Sequence, residues 1–459
     1  MIMKMNRREF LRSMAILAGT AALPGCVFFR TKDEPGFDYV LTAEATTVEL
    51  RPGKSTPALT FNGVAPAPVL RAKQGQRLRI KLINNLNQAT TIHWHGVRLN
   101  NAMDGVPYLT QSPVLPGEDF VYDFVVPDAG TFWYHPHINS LEQLGKGMVG
   151  LLIIEEKLSA DFDADLPLIL KKWHLDDAGN FLRLSTPRKA ARMGTPGTWQ
   201  TVNADHDPVL QIPAGGAVRL RLANLDNTVS YDLWIGHSEA QHLAYDGMPL
   251  ATPRPQQTYP LGPGMRLDAG LIAPTEIGVE IPIYRRRGQR QERLCTLRTV
   301  ASKQTPRQNI SALPANPISL PKVDEAKTLN FTFDWSGAVS PMDKSGQPSF
   351  WAINKKPWPG IAKGNIPEPL ARLKLGNSYI FELVNTSQYS HPIHLHGVVF
   401  SVLDSNKRDI TPYQADTVIL GKYETIRVAF VADNPGRWMY HCHLIEHMKT
   451  GLMGYFEIS

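Results

Sequence analysis

The chain has 459 residues, with 43% hydrophobic and 20% charged. That make-up suits a globular protein of about three domains of ~150 residues each. Lys and Arg outnumber Asp and Glu by 48 to 42, a formal charge of +6. Lys4, Arg7, Arg8 and Arg12 against Glu9 supply half of that excess at the amino terminus. What remains is too weak to indicate a polyanion partner, and no nucleic-acid motif is present. Glycine (35) and proline (36) are plentiful, which predicts frequent turns and an all-β chain.

In chain order, "NRREFLRSMAILAGTAALPGC" comes first. A basic start, a short apolar run and small residues predict an export signal over residues 1–25. Arg7-Arg8 followed by Phe10-Leu11 is similar to a bacterial twin-arginine signal, a route that carries folded proteins. The apolar run is too short to span a bilayer. "LPGC" resembles a lipobox ending at Cys26, so lipidation of Cys26 and simple cleavage nearby are the two alternatives. A periplasmic or exported location follows from either. Only Cys26, Cys295 and Cys442 are present; pairing Cys442 would remove the thiolate from a histidine-rich stretch, so Cys295 is expected to be a buried small hydrophobe.

Three repeats follow. "RLRIKLINNLNQATTIHWHG" (77–96), "AVRLRLANLDNTVSYDLWIGH" (217–237) and "NSYIFELVNTSQYSHPIHLHG" (377–397) each read as an alternating strand, an asparagine turn and a second strand. "DFVVPDAGTFWYHPH" (123–137) matches "AFVADNPGRWMYHCH" (429–443), and "GMVGLLIIEE" (147–156) matches "TGLMGYFEIS" (450–459). These units predict three Greek-key β-sandwiches over 38–157, 165–303 and 326–459. The proline-rich segment 304–325 reads as a linker. "RRRGQRQER" (285–293) reads as a solvated hairpin tip.

Ten of the fourteen histidines fall in four short motifs: His93 and His95, His135 and His137, the trio His391, His394 and His396, and the trio His441, His443 and His447. His174, His206, His237 and His242 lie outside them and read as packing or surface residues. Side chains two apart on a strand share a face, and the residue between them points away. By that rule His93/His95, His135/His137, His394/His396 and His441/His443 are four same-face pairs, while Cys442 faces the opposite way. Trp94 likewise turns away from its flanking histidines into the domain. His391, Cys442 and His447 remain, and two imidazoles with one thiolate form the ligand set of a blue-copper centre. Eight histidines suit about three ions. Zinc chemistry gives no reason to place Cys442 between two ligands of another site.

With all four motifs in order over nearly the whole chain beyond the signal, the sequence resembles the three-domain multicopper oxidases: laccases, bacterial cuprous oxidases and ferroxidases. The resemblance implies cupredoxin domains, about four copper ions, and four one-electron oxidations of a donor coupled to reduction of dioxygen to water. By position it implies that His391, Cys442 and His447 hold type 1 copper, with electrons passing through Cys442. It implies His93 and His394 for type 2, and His95, His135, His137, His396, His441 and His443 for type 3.

Three positions depart from bacterial relatives. Leu452 stands where many carry an axial methionine, and Met453 faces the other way, so a three-ligand type 1 site with a raised potential is expected. Met448 replaces an acid that follows the type 1 histidine in several relatives. Asp104, in "NNAMDG", matches the other acid near the cluster and is the expected proton-relay carboxylate. No methionine-rich insert precedes "HPIHLHG", so an open His447 edge and a bulky organic donor are expected, a phenol or aromatic amine. Cu(I) or Fe(II) is the alternative donor; for these Asp404, Asp409 and Glu446 are nominal acids, each read as a solvated residue. A blue-copper electron carrier without oxygen chemistry is the alternative of another class, and the eight-histidine cluster argues against it. "SFWAINKKPW" (349–358) borders the type 1 edge by analogy. A monomer is expected, with no membrane contact beyond a lipid on Cys26.

Overall fold

The computed structural model describes residues 34–158, 160–336, 349–360 and 362–459. The signal and Cys26 lie outside the described residues. No helix among the described residues is long and apolar enough to cross a membrane.

Alternation of apolar and polar side chains makes half-buried strands, and these pair into six sheets. Arg77–Asn84 shows the pattern: Leu78, Ile80 and Leu82 are buried, and Arg77, Arg79, Lys81 and Ile83 point toward the outside. Two four-stranded sheets come from the stretch between Tyr39–Arg51 and Gly150–Glu155. A six-stranded and a five-stranded sheet come from Ala164–Trp173 through Arg290–Val300, and another such pair from Lys327–Trp335 through Met453–Ile458. Each pair packs as a cupredoxin-like sandwich in which parallel and antiparallel ladders mix, the mark of Greek-key crossovers.

The histidine motifs lie on or beside inner strands except His93–His95, the edge strand of its four-stranded sheet. His93–His95 pairs with Gly130–His135, setting His93 opposite His135. In the third sandwich His391–Leu395 lies between Gly436–Cys442 and Thr417–Leu420, setting His394 opposite His441 on one side and Thr417 on the other. One large apolar cluster is drawn almost wholly from the first and third sandwiches, and the middle sandwich has its own. A smaller cluster, including Val106, Trp133, Ala223, Met439, Met448 and Met453, joins all three. The outer sandwiches thus meet face to face, and the middle one closes over the seam.

Segment 304–325 has no regular structure before Val323–Glu325, but it is tied down. Asn316 exchanges two 2.8 Å hydrogen bonds with the backbone of Ala129, and Arg98 donates to the Pro317 carbonyl. The basic run at 285–293 is the hairpin between Glu280–Arg287 and Arg290–Val300. Cys295 is buried and free, and burial pushes its thiol up to about 12. Trp94 packs on Tyr122, Phe124 and Tyr134, on the far side from its flanking histidines. His242 bonds Tyr245 and His206 stacks on Trp199, so both serve packing.

Candidate metal centre

Ligand atoms of the motif histidines gather into two buried regions. In one, His391, Cys442 and His447 bring their donor atoms within 4.8 Å of one another. The two Nδ1 atoms are 3.0 Å apart, and each is 3.7 Å from the Cys442 sulfur. In the other, three adjacent groups form: His93, His95 and His394; His95, His135 and His443; His137, His396 and His441. The first and third sandwiches each supply four of these eight rings.

The chemistry of these atoms calls for cations. Nε2 of His93, His135 and His394, Nδ1 of His95 and both nitrogens of His443 are buried with no hydrogen-bond partner. Nε2 of His441 lies 3.1 Å from that of His396 and 3.4 Å from that of His137, the spacing of nitrogens around a metal at bonds of about 2 Å. Burial, with the neighbouring imidazoles, drives His95, His135, His137, His394, His396 and His443 down; His441 falls to about 3, as does the buried His447 in the other region. They are therefore neutral at ordinary pH, the form that binds metal. Burial also pushes the Cys442 thiol far up, so its thiolate needs a bound cation. Copper fits this donor set of imidazoles and one thiolate.

The far nitrogens are held by the protein, which fixes the rings. His93 donates Nδ1–H to the Asp104 carbonyl (2.9 Å), His135 to that of Pro136 (2.9 Å) and His441 to that of Cys442 (3.0 Å). The Asp104 carboxylate accepts from His396 Nδ1 at 3.0 Å and approaches His93 Nδ1 at 3.2 Å. Asp104 is thus a buried acid bridging ring edges from the two outer sandwiches. A second acid, Asp416, was not legible in the sequence. It lies 3.1 Å from His95 Nε2 and 3.3 Å from His394 Nδ1. Its only sequence signal is a place just before the strand that pairs with His391–Leu395. Burial pushes the Asp416 carboxyl up, but the Arg266 guanidinium and the His394 N–H outweigh it and hold it below the usual carboxylate range. Asp246, buried beside Asp416, is pushed up to about 7.

Among the described residues, no carboxylate bonds the imidazoles of the Cys442 region. Ser387 Oγ sits 3.0 Å from His391 Nε2, and His447 donates Nε2–H to the Arg192 carbonyl at 2.6 Å. Trp351, in the segment expected to border this edge, lays its indole against both imidazoles, with centroids 4.9 and 4.3 Å away. Leu452 is fully buried in the same apolar cluster as Cys442, and its carbonyl accepts from the Cys442 N–H at 3.0 Å. Met453 belongs to a different cluster, as alternation predicts. Met448 is buried and offers no acid.

Two expectations are corrected. The His447 edge is not open: the ring is fully buried beneath middle-sandwich residues 186–195. Thr186 caps the short helix Pro187–Ala190 with proline at its start, a local nucleating pattern. Trp351 Nε1 then donates to the Ala190 carbonyl at 2.9 Å. Nor is Glu446 solvated. It lies on the buried helix Ile445–Lys449, and its carboxylate accepts from the Thr195 N–H and, at 3.0 Å, from the Thr195 hydroxyl. Asp404 is locked by Arg427 at 2.9 Å, and Asp409 is an exposed loop residue.

Three cupredoxin-like sandwiches, with a cysteine-bearing group in the third and a histidine cluster between the first and third, define a fold and donor set suited to copper. The multicopper oxidase sequence profiles match residues 42–159 and 333–459. The crystal structure of a multicopper oxidase from Pseudomonas thermotolerans is 49% identical, with a TM-score of 0.85 over 92% of this chain and 98% of that one. One from Pseudomonas parafulva is 49% identical, with a TM-score of 0.83 over 92% and 100%. The multicopper oxidase mco of Staphylococcus haemolyticus is 27% identical over 93% of this chain and 90% of that protein. The chain belongs to the multicopper oxidase family. It is an oxidoreductase that uses copper, dioxygen and a reducing substrate.

Proposed function

We propose that the protein holds four copper ions: type 1 at His391, Cys442 and His447, type 2 at His93 and His394, and the type 3 pair at His95, His135 and His443 and at His137, His396 and His441. The observation that carries this reading is the convergence of bare imidazole nitrogens from both outer sandwiches behind a strand whose opposite face presents Cys442. Copper, when bound, supplies one-electron oxidation and the four-electron reduction of dioxygen. The chain's part is to hold the imidazoles neutral, orient them through Asp104 and Asp416, and join the two centres through the backbone of His441, Cys442 and His443. Asp104, which touches rings of both outer sandwiches, is the proton-relay carboxylate in this reading. The domains are 38–157, 165–303 and 326–459, with 304–325 between them, in a monomer exported to the periplasm.

The donor is an organic reductant of the laccase type. A cleft of about 610 Å³ beside the sealed His447 edge is lined by Phe181, Phe350, Arg183, Glu446 and Lys449 among others. Of the cations lining it, Lys146 is paired with Glu142, while Arg183 and Lys449 are exposed without an ion-pair partner among the described residues. Two phenylalanines with the unpaired Arg183 and Lys449 suit an aromatic donor carrying negative charge better than Cu(I) or Fe(II). The acids nominated for metal ions are occupied, Asp404 by Arg427 and Glu446 by Thr195. Metal-ion oxidation in copper or iron tolerance is the second reading, and electron carriage without oxygen chemistry the third. Oxygen uptake by the copper-loaded protein with a carboxylated phenol, with Cu(I) and with Fe(II) separates them. The account expects the highest kcat/KM with the phenol; a higher value with either metal ion refutes the donor assignment, and no uptake with any donor favours the carrier.

A further inference from the structure

The middle sandwich supplies no histidine to either region, yet its turn at residues 262–266 lies among the ligands of the cluster. Gly264 has φ +88°, and a side chain there would come within 2.9 Å of the His443 ring and 3.2 Å of His95. Its carbonyl accepts from Trp133 Nε1 at 3.2 Å, and Trp133 stacks on His135 at 4.2 Å.

Arg266, two residues on, is fully buried and uses every donor of its guanidinium. Nε donates to Thr131 O of the first sandwich at 2.9 Å. Nη1 donates to Gly264 O and to Asp416 Oδ1, both at 3.0 Å. Nη2 donates to Asp246 O at 2.9 Å and to Asp416 Oδ2 at 2.5 Å. One side chain thus joins all three sandwiches and clamps the carboxylate that lies against His95 and His394. The Thr417 hydroxyl donates to the same Asp416 Oδ1 at 2.7 Å.

His95 is the ring this clamp reaches most directly. Its neighbours His93, His135 and His394 leave Nε2 bare, whereas His95 leaves Nδ1 bare and turns Nε2 to Asp416. Nothing in the first sandwich dictates that reversed orientation, because the acceptor belongs to the third. An acceptor fixed by a planar fork keeps it.

We infer that Arg266 is a positioning residue for the histidine cluster, acting through Asp416 to hold His95 with Nδ1 facing the metal position. The middle sandwich thereby sets the geometry of a centre to which it gives no ligand. This rests on the cluster reading above. Outer partners of metal-bound histidines are worth about 10- to 100-fold in metal affinity, and that is the effect expected here.

The test uses full-length copper-loaded protein and two variants, Arg266→Lys and Asp416→Asn. Lysine keeps the charge but cannot span both carboxylate oxygens and the three carbonyls. Copper titration of the metal-free protein should show the cluster ions bound 10- to 100-fold more weakly. Because Asp416 also lies 3.3 Å from His394 Nδ1, the type 2 electron paramagnetic resonance hyperfine splitting should change, while the blue absorption of the Cys442 centre stays as in wild type. A role confined to stability would lower the melting temperature and leave that splitting alone. Wild-type splitting and cluster affinity in Arg266→Lys overturn the assignment. Should Arg266→Lys fail to fold, Asp416→Asn decides on the same two readouts. Wild-type protein that binds copper only at Cys442 overturns the cluster reading itself, independently of Arg266.

Discussion

Around the eight-histidine cluster the outer ring nitrogens reach two aspartates, Asp104 and Asp416. Around Cys442 the corresponding partners are a serine hydroxyl and a backbone carbonyl, with a leucine where a donor sulfur could stand. The difference is one of charge. Carboxylates near a cluster of several cations offset them and lock imidazoles in place. In the four-copper reading, neutral partners and apolar walls add no charge that favours the oxidised metal, so a high potential is expected at Cys442. The strand Gly436–Cys442 serves both regions, and in this reading its surroundings should tune the two in opposite directions.

The largest expected effect comes from crowding the cluster side of this comparison. Gly264→Ala puts a Cβ against His443 at a backbone conformation that side chains rarely adopt. It should cost about 100-fold in turnover and lower the cluster copper content, with the blue absorption retained; equal loss of both signals would show general misfolding instead. Next, Asp104→Asn removes the charge between His93 and His396. A fall of about 10- to 100-fold in kcat with little change in donor KM is expected from steady-state kinetics, and full turnover would argue for another proton route.

On the Cys442 side the effects are smaller. Leu452→Met offers a thioether, and redox titration should give a lower type 1 potential, where about 60 mV is a tenfold change for one electron. An unchanged potential would mean that residue 452 does not reach the metal. Smallest is Lys449→Glu at the cleft. Exposed pairs are worth about 0.2–1 kcal/mol, so KM for a carboxylated phenol should rise up to about fivefold, while that of a neutral phenol stays put. Equal changes for both donors would remove charge as the cause.

Much of this comparison is legible in the sequence because strand alternation has a fixed period. The motif "HCH" alone separates Cys442 from His441 and His443, and it predicts Met453 turned away from Leu452. Repeat matching exposes the three sandwiches for the same reason, since each motif falls at an equivalent strand. What stays hidden depends on contacts between distant segments. Arg192 meets His447 across 255 residues of chain through a backbone carbonyl, a group every residue possesses. The missing methionine insert therefore suggests an open edge, while an unmarked stretch of the middle sandwich closes it. Asp416 and Arg266 escape notice likewise, because buried ion pairs between domains leave no periodic trace. Glu446 looks like any acid near a helix until Thr195 is seen to bind it.

The central claim is that Cys442 serves one copper alone while the eight histidines serve the rest. Copper analysis of purified Cys442→Ser protein, with absorption and paramagnetic resonance spectra, tests it directly. The account predicts loss of one ion in four together with the blue band, with the type 2 signal intact. Loss of all four ions, or retention of the blue band, would contradict it.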